Sequence, residues 1–177
     1  ILCLQELDNS DIEFFNNTLT SLNHKLFFRK KTGSNKNEGC GISFNIEKFN
    51  EVRSFFLDLG VAISDKNEIN LLSNHLNFPG VAVFSLLENK SLNNSNKILI
   101  INTHLIYNTK RGDLKLSMLI LIFKATLKII QDFDVSDVFM CGDFNMIPNS
   151  MIYNWITTNE INLNASLEEY SNQELIE

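Results

Sequence analysis

The sequence has few cysteines, no long apolar run and no excess of positive charge. Among the 177 residues, no apolar run approaches the roughly 18 that predict a membrane-spanning helix. No signal or transit peptide is recognisable at the N-terminus. The net charge of −6 argues against a generally basic nucleic-acid-binding protein. It does not exclude an enzyme that holds nucleic acid locally through metal ions.

The three cysteines, Cys3, Cys40 and Cys141, are far apart and lie in apolar or strand-like settings. An odd number of cysteines without a pairing motif predicts reduced thiols in a core. Reduced thiols are typical of intracellular proteins, so we expect a cytoplasmic or nuclear location.

The length and the hydrophobic content of 44% predict one domain with a sizeable core. Neither an internal repeat nor an interdomain linker is visible. The first residue is Ile1, and residues 1–6 (ILCLQE) have the pattern of a strand already in progress. We therefore expect the sequence to begin inside a longer protein.

Strand and helix patterns both occur, which predicts an α/β fold. Apolar strands are predicted at 1–4, 79–87, 97–105 and 137–141, and an alternating pattern predicts a hairpin over 41–49. Helices are predicted over 11–22, 113–133 and 150–156, the first with Asp11 in the capping position.

Polar side chains follow three of the predicted strands. Glu6 comes directly after ILCLQ, and His104 ends the stretch ILIINTH. Asp143 and Asn145 follow VFMCG. Ligands of α/β proteins bind at the carboxyl ends of strands, so these side chains are candidates for one site.

Carboxylate and carboxamide oxygens predict a hard cation such as Mg²⁺ rather than zinc. If the backbone of Asp143–Asn145 stays extended, the two side chains point the same way. Gly142 has no Cβ and permits the close approach of another chain or a ligand.

Each signal also has a simpler explanation. A Gly-Asp pair after a strand is usually a turn. Glu6 alone is more often a solvated residue, and His104 alone is more often a structural histidine. Phe144 and Trp155 suit base stacking, but core packing explains them better. Lys110 and Arg111 suit either an RNA backbone or a solvated loop.

Four segments together resemble the endonuclease/exonuclease/phosphatase superfamily. They are LQE (4–6), GCGISFNIEKF (39–49), NTHLIYNTKRGDLKLS (102–117) and CGDFNMIPNSMIYNWI (141–156). Within that superfamily the chain resembles the deadenylase branch, which comprises carbon catabolite repressor-type deadenylases, nocturnin and the Angel proteins, and it is most similar to Angel. The resemblance implies two β-sheets packed as a sandwich and flanked by helices.

The resemblance also implies roles for single residues. Glu6 matches the metal-binding glutamate, and Asp143 matches an aspartate that binds metal or activates water. Asn145 matches an asparagine that orients the nucleophile, and His104 matches a histidine that contacts the scissile phosphate. Substrate contacts are implied at Asn102, Thr109 and Arg111, although Thr109 replaces the usual proline.

The resemblance implies a Mg²⁺- or Mn²⁺-dependent phosphodiesterase, above all a 3′–5′ exoribonuclease acting on RNA. A phosphatase of RNA ends or dinucleotides is the alternative of the same fold, and a non-catalytic RNA- or protein-binding homologue is a third. The implied partners are an RNA 3′ end or a nucleotide, and a protein of an mRNA-decay complex. Binding to a membrane is not expected.

Family members carry a further aspartate and a histidine near the C-terminus. Nothing after Ile156 matches either motif, and the last of the three histidines is His104. We therefore expect residues 1–177 to form a partial domain of this family.

Overall fold

The computed structural model describes residues 1–32, 37–60, 79–91 and 96–160, and these residues form two β-sheets with three helices. The first sheet contains β1 (Leu2–Asp8), β2 (His24–Lys30) and β3 (Glu38–Asn45), in the order β1-β3-β2. Both of its strand pairs are antiparallel. Helix α1 (Ile12–Ser21) connects β1 to β2.

The second sheet has the order β4-β5-β6-β7. Its strands are β4 (Phe49–Asp58), β5 (Val81–Asn89), β6 (Lys97–His104) and β7 (Val135–Asp143). β6 and β7 are parallel, and α2 (Gly112–Phe133) makes the crossover between them. α3 (Met151–Thr158) follows β7. The predicted α/β fold with two sheets and flanking helices is confirmed.

The predicted hairpin over 41–49 is wrong, because β3 and β4 belong to different sheets. The chain does turn there: the side chain of Asn45 accepts hydrogen bonds from the backbone N–H groups of Glu47 and Lys48. This turn carries the chain from one sheet to the other. Alternation of apolar and polar residues fixes which face is buried but not which strand is the partner.

The three predicted helices are confirmed, although Asp11 makes no side-chain hydrogen bond to cap α1. Among the described helices, none combines the length and the apolar character needed to cross a membrane. All three cysteines are free, but only Cys40 is buried in the core, whereas Cys3 and Cys141 are half-buried. Burial raises the pKa of the Cys40 thiol to about 12, so it stays protonated.

The second sheet is covered on both faces along its central strands, β5 and β6. Towards the first sheet it packs against β3, through a cluster formed by Cys40, Ile42, Phe44, Val81, Val83, Leu87 and Ile100. Towards α2 and α3 it buries a larger cluster that includes Phe84, Leu99, Ile101, Met118, Leu119, Ile122 and Ile152. Burial on both faces explains the continuous apolar run of β5.

The two aromatic side chains considered for base stacking pack against this larger cluster. Phe144 and Trp155 are both partly buried there. The Trp155 ring also meets the ring of Phe123 edge-on, with centroids 5.4 Å apart. Core packing is therefore the interpretation that the structure supports.

Asn102 joins the two sheets through its buried side-chain amide. Its Nδ2 donates to the carbonyl oxygens of Leu4 and Gly41, both at 2.9 Å, and its Oδ1 accepts from Gln5 Nε2 at 2.6 Å. Asn102 lies in β6, whereas its partners lie in β1 and β3. The amide of Asn102 thus adds three polar contacts to the apolar packing between the sheets.

We expect Asn102→Leu to lower the free energy of unfolding by roughly 3 kcal/mol, because it leaves buried carbonyls without a donor. Urea denaturation followed by circular dichroism measures the change. Asn50→Leu, at an exposed position of β4, is the control and is expected to change the free energy of unfolding by less than about 0.5 kcal/mol. Equal stabilities of the two variants contradict the assigned role of Asn102.

Candidate metal and phosphate site

The parallel pairing of β6 and β7 places their last residues side by side. His104 and Asp143 are register partners, and the Leu105 N–H donates to the Asp143 carbonyl at 2.9 Å. The Nε2 atom of His104 lies 3.7 Å from Oδ2 of Asp143. The carboxyl ends of two strands thus bring an imidazole and a carboxylate together.

Gly142 permits this pairing at close range. Its φ is +146°, and a Cβ on it would lie 2.1 Å from the carbonyl oxygen of Thr103 in β6. Any side chain would therefore push β7 away from β6. The close approach that the sequence predicted is that of a neighbouring strand of the same chain.

Glu6 reaches the same place from the other sheet. The pairing of β1 with β3 shifts register between Leu4 and Leu7, and Glu6 lies in that irregularity with φ +54°. Its carboxylate oxygen Oε1 is 4.0 Å from Nε2 of His104, and its side chain is 61% exposed. The structure thus brings Glu6, His104 and Asp143 together around one nitrogen.

Asn145 differs from its prediction because the chain is not extended there. Its φ is +49°, and its backbone N–H donates to Oδ1 of Asp143 at 2.9 Å. Its side-chain Nδ2 donates to the Leu105 carbonyl at 2.9 Å. The expectation that extended backbone aligns Asp143 with Asn145 is therefore wrong. A tight turn instead makes Asn145 hold the Asp143 carboxylate.

Lys115 supports this turn from α2. Its side chain is fully buried, and its Nζ donates to the carbonyl oxygen of Asn145. Burial lowers the pKa of Lys115, while the charge of Asp143 opposes that shift. Sequence reasoning missed this residue. The available signal was its position on the same stripe of α2 as the buried Leu119 and Ile122.

Lys31 is the second lysine that the sequence did not reveal. Its side chain is 8% exposed, and its Nζ lies 2.9 Å from Oε1 of Glu38 and 2.9 Å from Nδ1 of His104. Lys31 follows β2 and Glu38 begins β3. The segment RKKTG has no periodicity that distinguishes Lys31 from its neighbours, so no local signal indicated its burial.

The surroundings of His104 favour its neutral form. Burial lowers the pKa of the imidazole, and the charge of Lys31 lowers it further. The carboxylates of Asp143, Glu6 and Glu38 oppose this shift without overcoming it. Burial and Lys31 together thus favour an uncharged imidazole with one N–H donor.

A cation fits on one side of His104 better than on the other. Ligand atoms of Glu6, Glu38 and His104 lie within 4.8 Å of one another. However, Lys31 already bonds to both Glu38 and Nδ1 of His104, so its ammonium occupies that side. On the Nε2 side, the exposed carboxylates of Glu6 and Asp143 offer oxygen ligands, which suit a hard divalent cation.

The three residues predicted to bind substrate have different surroundings. Asn102 is fully buried and bonded between the sheets, so its amide is not available to a ligand. Thr109 is half-buried in the loop between β6 and α2. The Arg111 guanidinium donates twice to Asp113, at 2.9 and 2.8 Å. Contacts of Thr109 and Arg111 with substrate stay predictions.

No protein-family model matches the chain. The chain is 32% identical over 162 residues to protein angel homolog 2 of Danio rerio, covering 88% of this chain and 26% of that protein. The chain thus spans less than a third of the curated relative's length.

The chain is also similar to an Angel protein among solved structures. The crystal structure of ANGEL2, a 2′,3′-cyclic phosphatase, in complex with adenosine-2′,3′-vanadate has a TM-score of 0.83 and 29% identity, over 98% of this chain and 48% of that one. The human nocturnin catalytic domain with bound sulfate has a TM-score of 0.69 and 25% identity, over 89% of this chain and 55% of that one. The predicted resemblance to Angel and nocturnin is confirmed.

Proposed function

We propose, from the membership of this chain in the endonuclease/exonuclease/phosphatase superfamily, that the natural protein hydrolyses phosphate esters at RNA ends with a bound divalent cation. The observation that carries the proposal is the meeting of Glu6, His104 and Asp143 at one rim. Two exposed carboxylates suit a divalent cation, and a cation held there together with the imidazole of His104 suits a phosphate.

The cation that suits this site is Mg²⁺ or Mn²⁺, held by Glu6 with Asp143 close by. When bound, such a cation neutralises phosphate charge and lowers the pKa of a bound water. The residues of the chain supply the rest. Asn145 fixes one oxygen of Asp143, which leaves Oδ2 beside His104. His104 presents its imidazole edge to the same space and can donate to a phosphate oxygen.

Two finer activities follow from different observations. The similarity to ANGEL2, at a TM-score of 0.83, favours removal of a 2′,3′-cyclic phosphate from RNA. The segments shared with deadenylases favour a 3′–5′ exoribonuclease. We take the cyclic phosphatase as the first candidate, because the ANGEL2 match covers almost the whole chain. The exoribonuclease is the second candidate.

One assay separates the candidates. The natural full-length protein is incubated with Mg²⁺ and one RNA sequence carrying either a 2′,3′-cyclic phosphate or a 3′-hydroxyl poly(A) tail. Opening or loss of the cyclic phosphate without shortening supports the phosphatase, and stepwise shortening of the tail supports the exoribonuclease. EDTA is expected to stop either reaction. Binding of RNA without any change in it supports a non-catalytic homologue and rejects the proposed hydrolysis.

A further inference from the structure

The contact between Lys31 and His104 determines where the proton of the imidazole resides. An ammonium group has three donor hydrogens and no acceptor. Lys31 also forms a salt bridge with Glu38 at 2.9 Å in a nearly fully buried position. The 2.9 Å contact to Nδ1 of His104 therefore requires a bare lone pair on Nδ1.

With Nδ1 bare, the ring carries its hydrogen on Nε2. That nitrogen is 3.7 Å from Asp143 and 4.0 Å from Glu6, which is too far for a direct hydrogen bond to either carboxylate. The Nε2–H therefore faces the rim and makes no hydrogen bond to Asp143 or Glu6. An oxygen that binds between these carboxylates is placed to accept it.

We propose that Lys31 is a positioning residue that holds His104 in the Nε2–H tautomer, so that the imidazole donates to a phosphate oxygen and is not a metal ligand. The use of that donor rests on the proposed function. The tautomer itself rests only on the contacts among Lys31, Glu38 and His104. The opposite tautomer has two hydrogens directed at each other between Nζ and Nδ1.

Lys31→Met tests the proposal, because methionine fills a similar volume and donates no hydrogen bond. The natural full-length protein is labelled with ¹⁵N-histidine, and two-bond ¹⁵N–¹H correlation spectra report which ring nitrogen carries the proton. His104→Gln assigns the signal. The matched control is Lys30→Met, at the exposed neighbouring position at the end of β2.

The parent and Lys30→Met are expected to show the Nε2–H pattern, and Lys31→Met a mixture of both tautomers. With Mg²⁺ and the reactive RNA, kcat of Lys31→Met is expected to fall about 10- to 100-fold at unchanged KM, by analogy with partners that orient metal-bound histidines. A parent with its proton on Nδ1 overturns the proposal, even if Lys31→Met fails to fold. An unchanged Nε2–H pattern in folded Lys31→Met overturns it too.

The two proposals fail separately. A parent that hydrolyses no RNA but shows Lys31-dependent Nε2–H supports tautomer control and rejects the proposed function. An active parent with Nδ1–H supports the function and rejects the role of Lys31.

Discussion

Replacing Asp143 by asparagine is expected to lower kcat on the reactive RNA by roughly 100- to 10,000-fold, the usual loss when a charge-stabilising or proton-accepting group is removed. Asp143 contributes one of the two carboxylates that face Nε2 of His104. Its removal withdraws a negative charge from the proposed cation and leaves Glu6 as the one carboxylate beside Nε2 of His104. The measurement is single-turnover kinetics at saturating Mg²⁺.

Asparagine is the informative replacement because it separates charge from structure. Its side-chain oxygen can still accept the hydrogen bond from the Asn145 N–H, which Oδ1 of Asp143 now accepts at 2.9 Å. The Asp143 side chain is 52% exposed, so little packing is lost. The free energy of unfolding is therefore expected to change by less than about 0.5 kcal/mol.

Asp137→Asn is the matched control, because Asp137 is an exposed aspartate in the same strand. It removes the same charge from the protein without reaching the rim. Its turnover is expected to equal that of the parent. Asp143→Asn turnover equal to that of Asp137→Asn removes Asp143 from the mechanism, whatever the effect of EDTA.

The sequence was sufficient for the part of the site that follows from strand direction. Two apolar strands with a helical crossover between them predict parallel neighbours, and their last residues then share an edge. His104 and Asp143 are such residues, and the structure places them 3.7 Å apart. Residue types at strand ends were enough to find them because no long-range detail was needed.

Contacts that depend on the packing of the two sheets were beyond the sequence. Lys31, directly after β2, is buried where its ammonium meets His104 at the end of β6, in the other sheet. The sequence pattern of β3 and β4 predicted a hairpin, but the chain passes from one sheet to the other at Asn45. The backbone at Asn145 was predicted to be extended, but its hydrogen bonds to Asp143 and Leu105 form a turn. In each case a tertiary contact overrides a local pattern.

Glu6 combines an exposed carboxylate with an unfavourable backbone conformation. At φ +54°, a residue with a Cβ costs roughly 1–2 kcal/mol relative to ordinary backbone. The irregular pairing between Leu4 and Leu7 imposes this conformation inside β1. Backbone strain of this kind is concentrated at functional sites. Stability and the proposed activity are therefore expected to respond oppositely to substitutions at this position.

Glu6→Gly is expected to be about 1 kcal/mol more stable than Glu6→Ala, because glycine adopts positive φ without a Cβ clash. Both variants lack the carboxylate. Both are therefore expected to bind Mg²⁺ more weakly in calorimetry and to lose roughly 100-fold or more in kcat.

The control is the same pair of substitutions at Asn50, an exposed residue of β4 that does not have a positive φ. At Asn50 the alanine variant is expected to be more stable than the glycine variant. An Ala–Gly difference of the same sign at both positions contradicts strain at Glu6. Parental Mg²⁺ affinity in both Glu6 variants shows that this carboxylate is not a ligand.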